Sequence, residues 1–224
     1  MAESLAQKQA RFGAILEGLE QTYPAARIEL DYRTPLELLV AVVLSAQCTD
    51  KRVNLVTPAL FRRFRSAADY AAVQPEDLHP FIQSCGLYRN KAKAIVALAR
   101  ELVASHGGKV PTARAELNAL PGVGGKTAGV VSAHLPGGEP AFPVDTHVGR
   151  LARRMGLTPQ TDPAKVEIAL QKLVPPERWG LGHQLLIFHG RRRCFARNPD
   201  CGGCQVNALC PKRGVKRATK LNGR

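Results

Sequence analysis

No apolar run in this chain reaches the length of a membrane span. The most apolar segment, residues 36–46, is about half that length and contains Glu37. The opening stretch, MAESLAQKQARFGAILEGLE, carries acids and has no continuous apolar centre, so it does not read as a signal peptide. A soluble, cytoplasmic protein is expected, nucleoid-associated if bacterial. Cysteine is sparse: six in 224 residues is too few for a disulfide scaffold. No internal repeat is visible. Acids are also short, with 18 Asp and Glu against 32 Lys and Arg, a net charge of +14. That excess favours a polyanionic partner, either nucleic acid or an acidic membrane surface. An apolar content of 45% with 22% charged residues excludes a disordered, collagen-like or fibrous chain. The length suits one large domain or two small ones.

Helical spacing dominates. Leu5, Phe12, Ile15, Leu16 and Leu19 fall on one stripe, and residues 35–46 are apolar nearly all round, as in a buried helix. Residues 90–104 place Ile95, Leu98, Leu102 and Val103 on one face, and residues 163–173 and 180–189 continue the pattern. Only residues 27–32 look extended. The fold class is therefore all-α, with about ten helices. Gly and Pro break the chain most strongly at 106–111, 135–143 and 174–176, and the middle break is the candidate domain joint. Residues 211–224 hold six Lys/Arg and no acid, a basic arm or a solubilising tail.

Four of the six cysteines crowd together. Cys194, Cys201, Cys204 and Cys210 read C-x6-C-x2-C-x5-C. Structural zinc usually draws on two short Cys pairs, and only Cys201 and Cys204 form one. The wider outer spacings favour a cubane iron–sulfur cluster, with zinc as the alternative. Arg191, Arg192, Arg193, Arg197, Lys212 and Arg213 surround the loop. Such a setting suits a rigid staple that presents cations to phosphates. Cys48 and Cys85 lie in apolar surroundings and read as plain buried cysteines.

Residues 120–129, LPGVGGKTAG, carry a second signal. A nucleotide-binding P-loop needs Gly where Leu120 stands, and a dinucleotide fingerprint needs Gly where Thr127 stands, so both fail. What remains is a tight turn from Pro121 to Gly125 that opens a helix running to about His134. Gly122 and Gly124 permit positive φ and a close backbone approach to phosphate. The helix N-terminus adds N–H donors. Lys126, in the first turn, opposes the helix dipole. It is either a phosphate contact or, once it sheds its proton, a nucleophile able to form a Schiff base. Asp145 follows the joint in FPVDTHVGR. It reads as a helix N-cap, or as a carboxylate that takes a proton from an amine or stabilises a cationic sugar. His147 and Arg150 follow it and could face phosphate.

Together these residues resemble the endonuclease III family of DNA glycosylases. The matches are LSAQ at 44–47, GLY at 86–88, LPGVGGKTA at 120–128, VDTHV at 144–148, FHGR at 188–191 and the cysteine spacing. The resemblance implies a two-domain helix-hairpin-helix fold. Residues 28–138 would form a six-helix barrel with the hairpin. Residues 1–27 plus 139–224 would form a helical domain with a 4Fe-4S cluster on the loop 194–210. It implies that Lys126 attacks C1′ of a flipped nucleotide, expels an oxidised pyrimidine and promotes β-elimination, with Asp145 beside it. Gln47 and Leu87 would fill the emptied stack, because a base inside a duplex must be extruded before it can react. Gly122, Gly124, Gly125 and His147 would contact DNA. Gly125 stands where the family often has Arg, which removes one phosphate contact. Mismatch adenine glycosylases lack the hairpin lysine, so Lys126 argues against that branch. The function expected is a bifunctional glycosylase and abasic-site lyase, acting as a monomer on damaged duplex DNA. The alternatives are an iron–sulfur damage-binding relative with weak or no lyase activity, and a monofunctional glycosylase.

Overall fold

The computed structural model describes residues 3–215. In chain order the helices are α1 Leu5–Thr22, α2 Pro35–Ser45, α3 Asp50–Arg63, α4 Ala67–Ala71, α5 Pro75–Ile82, α6 Tyr88–Ser105, α7 Arg114–Ala119, α8 Gly125–His134, α9 Thr146–Arg154, α10 Pro163–Gln171 and α11 Trp179–Arg192. Two short 3-10 helices lie at Pro176–Arg178 and Asn207–Leu209. Among the described residues there is no strand, and residues 27–32, read as extended, form irregular chain without a sheet partner. Most of the basic tail, residues 216–224, lies outside the described residues.

Local sequence explains where the helices begin. The first N–H groups of a helix lack backbone partners, and a short polar side chain just before them supplies one. Ser4 and Ser66 do so within full capping boxes with Gln7 and Asp69. Thr34 and Asp162 cap helices whose first residue is proline, Pro35 and Pro163, where no N–H is lost. Thr49 caps α3.

The chain divides into two compact units, one being Ile28–Ala141 and the other drawn from Met1–Arg27 and Phe142–Arg224. In the first unit α2 is buried all round from Leu38 to Leu44. Its core continues through Tyr70, Leu78, Ile82, Ile95, Leu98, Leu102, Leu117 and Val131. Helix α6 is the column of this unit: α4, α5 and α2 all pack against it, while α7 and α2 pack on α8. In the second unit Phe12, Ile15, Leu16 and Leu19 of α1 meet Phe142, Val148, Leu151, Leu170, Leu185 and Leu186. The Phe12 and Phe142 ring centroids are 6.4 Å apart. Two stripe assignments fail at their edges. Leu5 and Val103 are 59% and 44% exposed, since each sits where the helix face turns out of the core.

The hairpin turn is seated on α6. Gly122 has φ +75°, and a Cβ there would lie 2.5 Å from Ala94 Cβ. Only glycine meets both conditions. Gly124 does not need that freedom, contrary to expectation: its φ is −85°, and it is the N-cap of α8. Gly122→Ala should destabilise the protein by about 2 kcal/mol or more, since left-handed backbone alone costs about 1–2 kcal/mol for a residue with a Cβ. Denaturant titration of the variant against the parent measures this.

Candidate nucleic-acid interface and cysteine loop

In the unit Ile28–Ala141 the hairpin is built from α7, the turn and α8. The turn is closed by Val123 N–H donating to Leu120 O at 3.1 Å, and α8 opens with Ala128 N–H donating to Gly124 O at 2.9 Å. No side chain caps the start of α8. The first-turn N–H groups of Gly125, Lys126 and Thr127 therefore stay available to an anion. Lys126 is exposed at this start. Gly125 is exposed too, and a Cβ there would meet nothing closer than Asn118 Oδ1 at 3.7 Å, so the position has room for the side chain it lacks.

Gln47 and Leu87 share an unusual feature. Both have left-handed backbone, with φ of 52° and 59°, a conformation that costs energy for residues other than glycine and that surrounding structure must hold in place. Both are exposed, Leu87 by 56%, which rules out a buried leucine. Gln47 follows the end of α2, and Leu87 is the N-cap of α6. The two loops touch: a Cβ at Gly86 would lie 3.4 Å from the Gln47 carbonyl oxygen. Lys91, buried in the first turn of α6, joins them from below by donating from Nζ to Leu44 O at 2.7 Å. Burial pushes the Lys91 pKa down.

In the other unit, Asp145 is the N-cap of α9, its Oδ1 accepting from Val148 N–H at 2.8 Å. The local reading of this residue is thus correct, and the bond fixes the half-buried carboxylate on its helix. His147 is half-buried rather than on an open face, its Nδ1 3.1 Å from Arg150 Nη2. Burial lowers the His147 pKa, with the Asp145 charge opposing. Arg150 does not present its guanidinium to solvent phosphate. It turns inward, and Nη2 donates to Gly190 O and Cys194 O, both at 3.0 Å. Lys126 and Asp145 belong to different units of the chain.

The cysteine loop leaves the end of α11. Cys194, Cys201, Cys204 and Cys210 line one cavity, together with Val206 and Met155. Among the described residues no three His, Cys, Asp or Glu close to the geometry of a single metal ion. Burial raises the Cys204 and Cys210 pKa values, and the neighbouring thiols raise them further. Four thiolates here would repel one another unless a cationic centre lay among them. Donors already point at sulfur. Arg154 Nη1 is 3.3 Å from Cys194 Sγ, and His189 Nε2 is 3.6 Å from Cys204 Sγ. His189 in turn meets Tyr23 Oη at 3.1 Å, and burial with Arg193 nearby pushes its pKa down to about 4, so it is neutral at pH 7. This donor set fits a thiolate-ligated cluster.

Sequence reasoning missed how the loop is held. Arg154 donates to Phe195 O at 2.6 Å and to Ala196 O at 2.8 Å, while Arg11 donates to Met155 O at 2.8 Å and to Leu209 O at 3.1 Å. Arg193 pairs with Asp200, whose Oδ1 accepts from Gly203 N–H at 3.0 Å. Arg192 stacks 4.0 Å from the Phe188 ring centroid. Gly190 lets α11 approach α9, since a Cβ there would stand 2.8 Å from His147 Nδ1.

Residues 40–176 match the family model described as HhH-GPD superfamily base excision DNA repair protein. The fold and hairpin thus define a helix-hairpin-helix protein of base excision DNA repair. The chain is 47% identical over 211 residues to endonuclease III of Synechocystis sp., covering 94% of this chain and 96% of that one. It is 46% identical over 214 residues to endonuclease III of Bacillus subtilis, covering 95% and 96%. A solved structure of a trapped covalent endonuclease III–DNA intermediate, an estranged-adenine complex, superposes with a TM-score of 0.86 at 45% identity, covering 91% of this chain and 96% of that one. The chain belongs to the endonuclease III family. Among the described residues no helix is long and apolar enough to cross a membrane.

Arg154→Ala should leave the carbonyls of Phe195 and Ala196 without their side-chain donor, while Cys194 O keeps Arg150. Amide hydrogen exchange across 194–197 is expected to accelerate at least tenfold, which corresponds to about 1.4 kcal/mol of local stability per decade.

Proposed function

We propose that this chain is a DNA glycosylase and abasic-site lyase that removes oxidised pyrimidines from duplex DNA, acting as a monomer in the cytoplasm. The observation that carries the reading is Lys126, exposed at the uncapped start of α8 directly after a hairpin turn, in a chain 45% identical to an endonuclease III trapped covalently on DNA. The N–H groups at that start would hold a backbone phosphate and bring the sugar to the amine.

Lys126 Nζ attacks C1′ of an extruded nucleotide, and the bond from C1′ to the base breaks. The sugar ring opens to a Schiff base between Nζ and C1′. Loss of a C2′ proton then expels the 3′ phosphate by β-elimination. Asp145 accepts the proton that the amine must lose and stabilises positive charge at C1′ as the base departs. Its bond to Val148 leaves the second carboxylate oxygen for this work. Leu87 enters the space vacated by the base, and Gln47 hydrogen-bonds the orphaned partner base. Their left-handed backbones hold both side chains out from the helix ends. Gly122, Gly124, Gly125 and His147 complete the contact with the phosphate backbone.

Cys194, Cys201, Cys204 and Cys210 would hold a 4Fe-4S cluster. When bound, it supplies a rigid centre of charge that ties the loop together and takes no part in the steps above. The unit Ile28–Ala141 acts as the hairpin domain, and the remainder as the cluster domain.

Lys126→Ala should abolish borohydride trapping on a duplex with one thymine glycol while DNA binding survives. Trapping by that variant would overturn the assignment of the nucleophile. Absence of trapping by the parent, with its cluster intact, on both this duplex and an abasic one would point to a damage-binding relative or a monofunctional glycosylase. Affinity should also fall steeply with salt. With six or more phosphates neutralised, a loss on the order of a thousandfold is expected between about 50 and 200 mM. Fluorescence anisotropy measures it, and a flat response would remove the role of the basic surface.

A further inference from the structure

Two cysteines that the chemistry does not use meet between the two intercalating loops. Cys48 adjoins Gln47, and Cys85 lies two residues before Leu87. The two thiols are near enough to interact, and Cys48 helps hold Cys85 in its protonated form. Cys85 is fully buried and Cys48 half-buried, so one faces the core and the other is open to reagents. The backbones beside them already touch at Gly86 and Gln47 O. Lys91, in the same pocket, binds Leu44 O and places a cation near both sulfurs.

We propose that Cys48 and Cys85 form a reversible disulfide that bolts together the loops carrying Gln47 and Leu87, a redox modification site controlling insertion into the duplex. The control of insertion rests on the function proposed above. The bond itself does not. The co-reactant is a small-molecule disulfide. Cys48, as thiolate, attacks one sulfur of it and expels a thiolate, which leaves a mixed disulfide on Cys48. Cys85 then loses its proton and attacks the Cys48 sulfur, and the second small thiolate departs. The two protons end on the two released thiols. Two protein thiols are oxidised to one S–S bond, and one small disulfide is reduced to two thiols. Burial pushes the Cys85 pKa up to about 11, so the second step is the slow one.

The bond changes the loops. Two neighbouring thiols must close to about 2.05 Å between sulfurs, with the Cβ atoms about 3.8 Å apart. Cys85 is drawn from the core toward Cys48, and it takes Gly86 and Leu87 with it. Two loops joined only by non-covalent contacts become a single covalent piece.

The test equilibrates the intact, cluster-loaded protein with glutathione and glutathione disulfide at graded ratios. Peptide mass mapping then follows the Cys48–Cys85 link, and anisotropy follows binding to an abasic duplex. The link should form at oxidising ratios, lower the affinity at least tenfold, and reverse with excess glutathione. Cys48→Ala and Cys85→Ala, treated identically, should form no link and keep their affinity. No linked peptide at the most oxidising ratio from folded protein would overturn the proposal, as would a link that leaves affinity unchanged. If the reduced parent fails to bind the abasic duplex, the functional reading fails, and the peptide map still decides the disulfide.

Discussion

The close approach of Gly122 to Ala94 is the contact on which the hairpin of the first unit depends. It seats the turn on α6 and so fixes where α8 begins and where Lys126 stands. The same helix sets the other parts. Its N-cap is Leu87, and one turn on, Lys91 reaches across to the end of α2 and anchors the loop of Gln47. A helix packed through Ile95, Leu98 and Leu102 into the core is a stiff reference. Three elements brought from separate parts of the chain are positioned against one rigid body, and a reaction that needs sub-ångström alignment can rely on it.

The second unit solves a different problem. A loop that must hold four sulfurs around one cavity has little hydrogen-bonded secondary structure of its own. Guanidinium groups supply what the backbone lacks. Arg11, Arg150 and Arg154 donate to carbonyls of the loop and of the turn beneath it. Each donates from a fixed fork, and this orients the chain as well as binding it. These cations came from helices α1 and α9, so part of the basic excess is internal architecture rather than DNA surface. Net charge on its own overstates what is free to meet phosphate.

Much of this was legible in the sequence, and the failures have physical reasons. Helix periodicity gave the all-α class and the places of α1, α2, α6, α10 and α11, because it is local. Leu5 and Val103 misled because a hydrophobic stripe has edges, and tertiary packing decides which edge is covered. Gly124 was assigned a freedom it does not use, because a turn of several glycines does not say which one carries positive φ. Asp145 was readable as an N-cap from its spacing. The inward turn of Arg150, the anchoring by Lys91 and the meeting of Cys48 with Cys85 were not readable. Each joins residues dozens of positions apart and leaves no periodic trace.

The discontinuity of the second unit bears on how the protein is made. Its first helix buries Phe12, Ile15, Leu16 and Leu19 against residues from Phe142 onward, and Arg11 bonds a carbonyl 198 positions later. The unit Ile28–Ala141 draws its core from one continuous stretch. On the ribosome, that stretch can fold while α1 still waits, apolar and amphipathic, for a partner not yet synthesised. Helix α1 emerges before every residue it packs against, and the nascent chain carries that unsatisfied surface until residues from Phe142 onward follow.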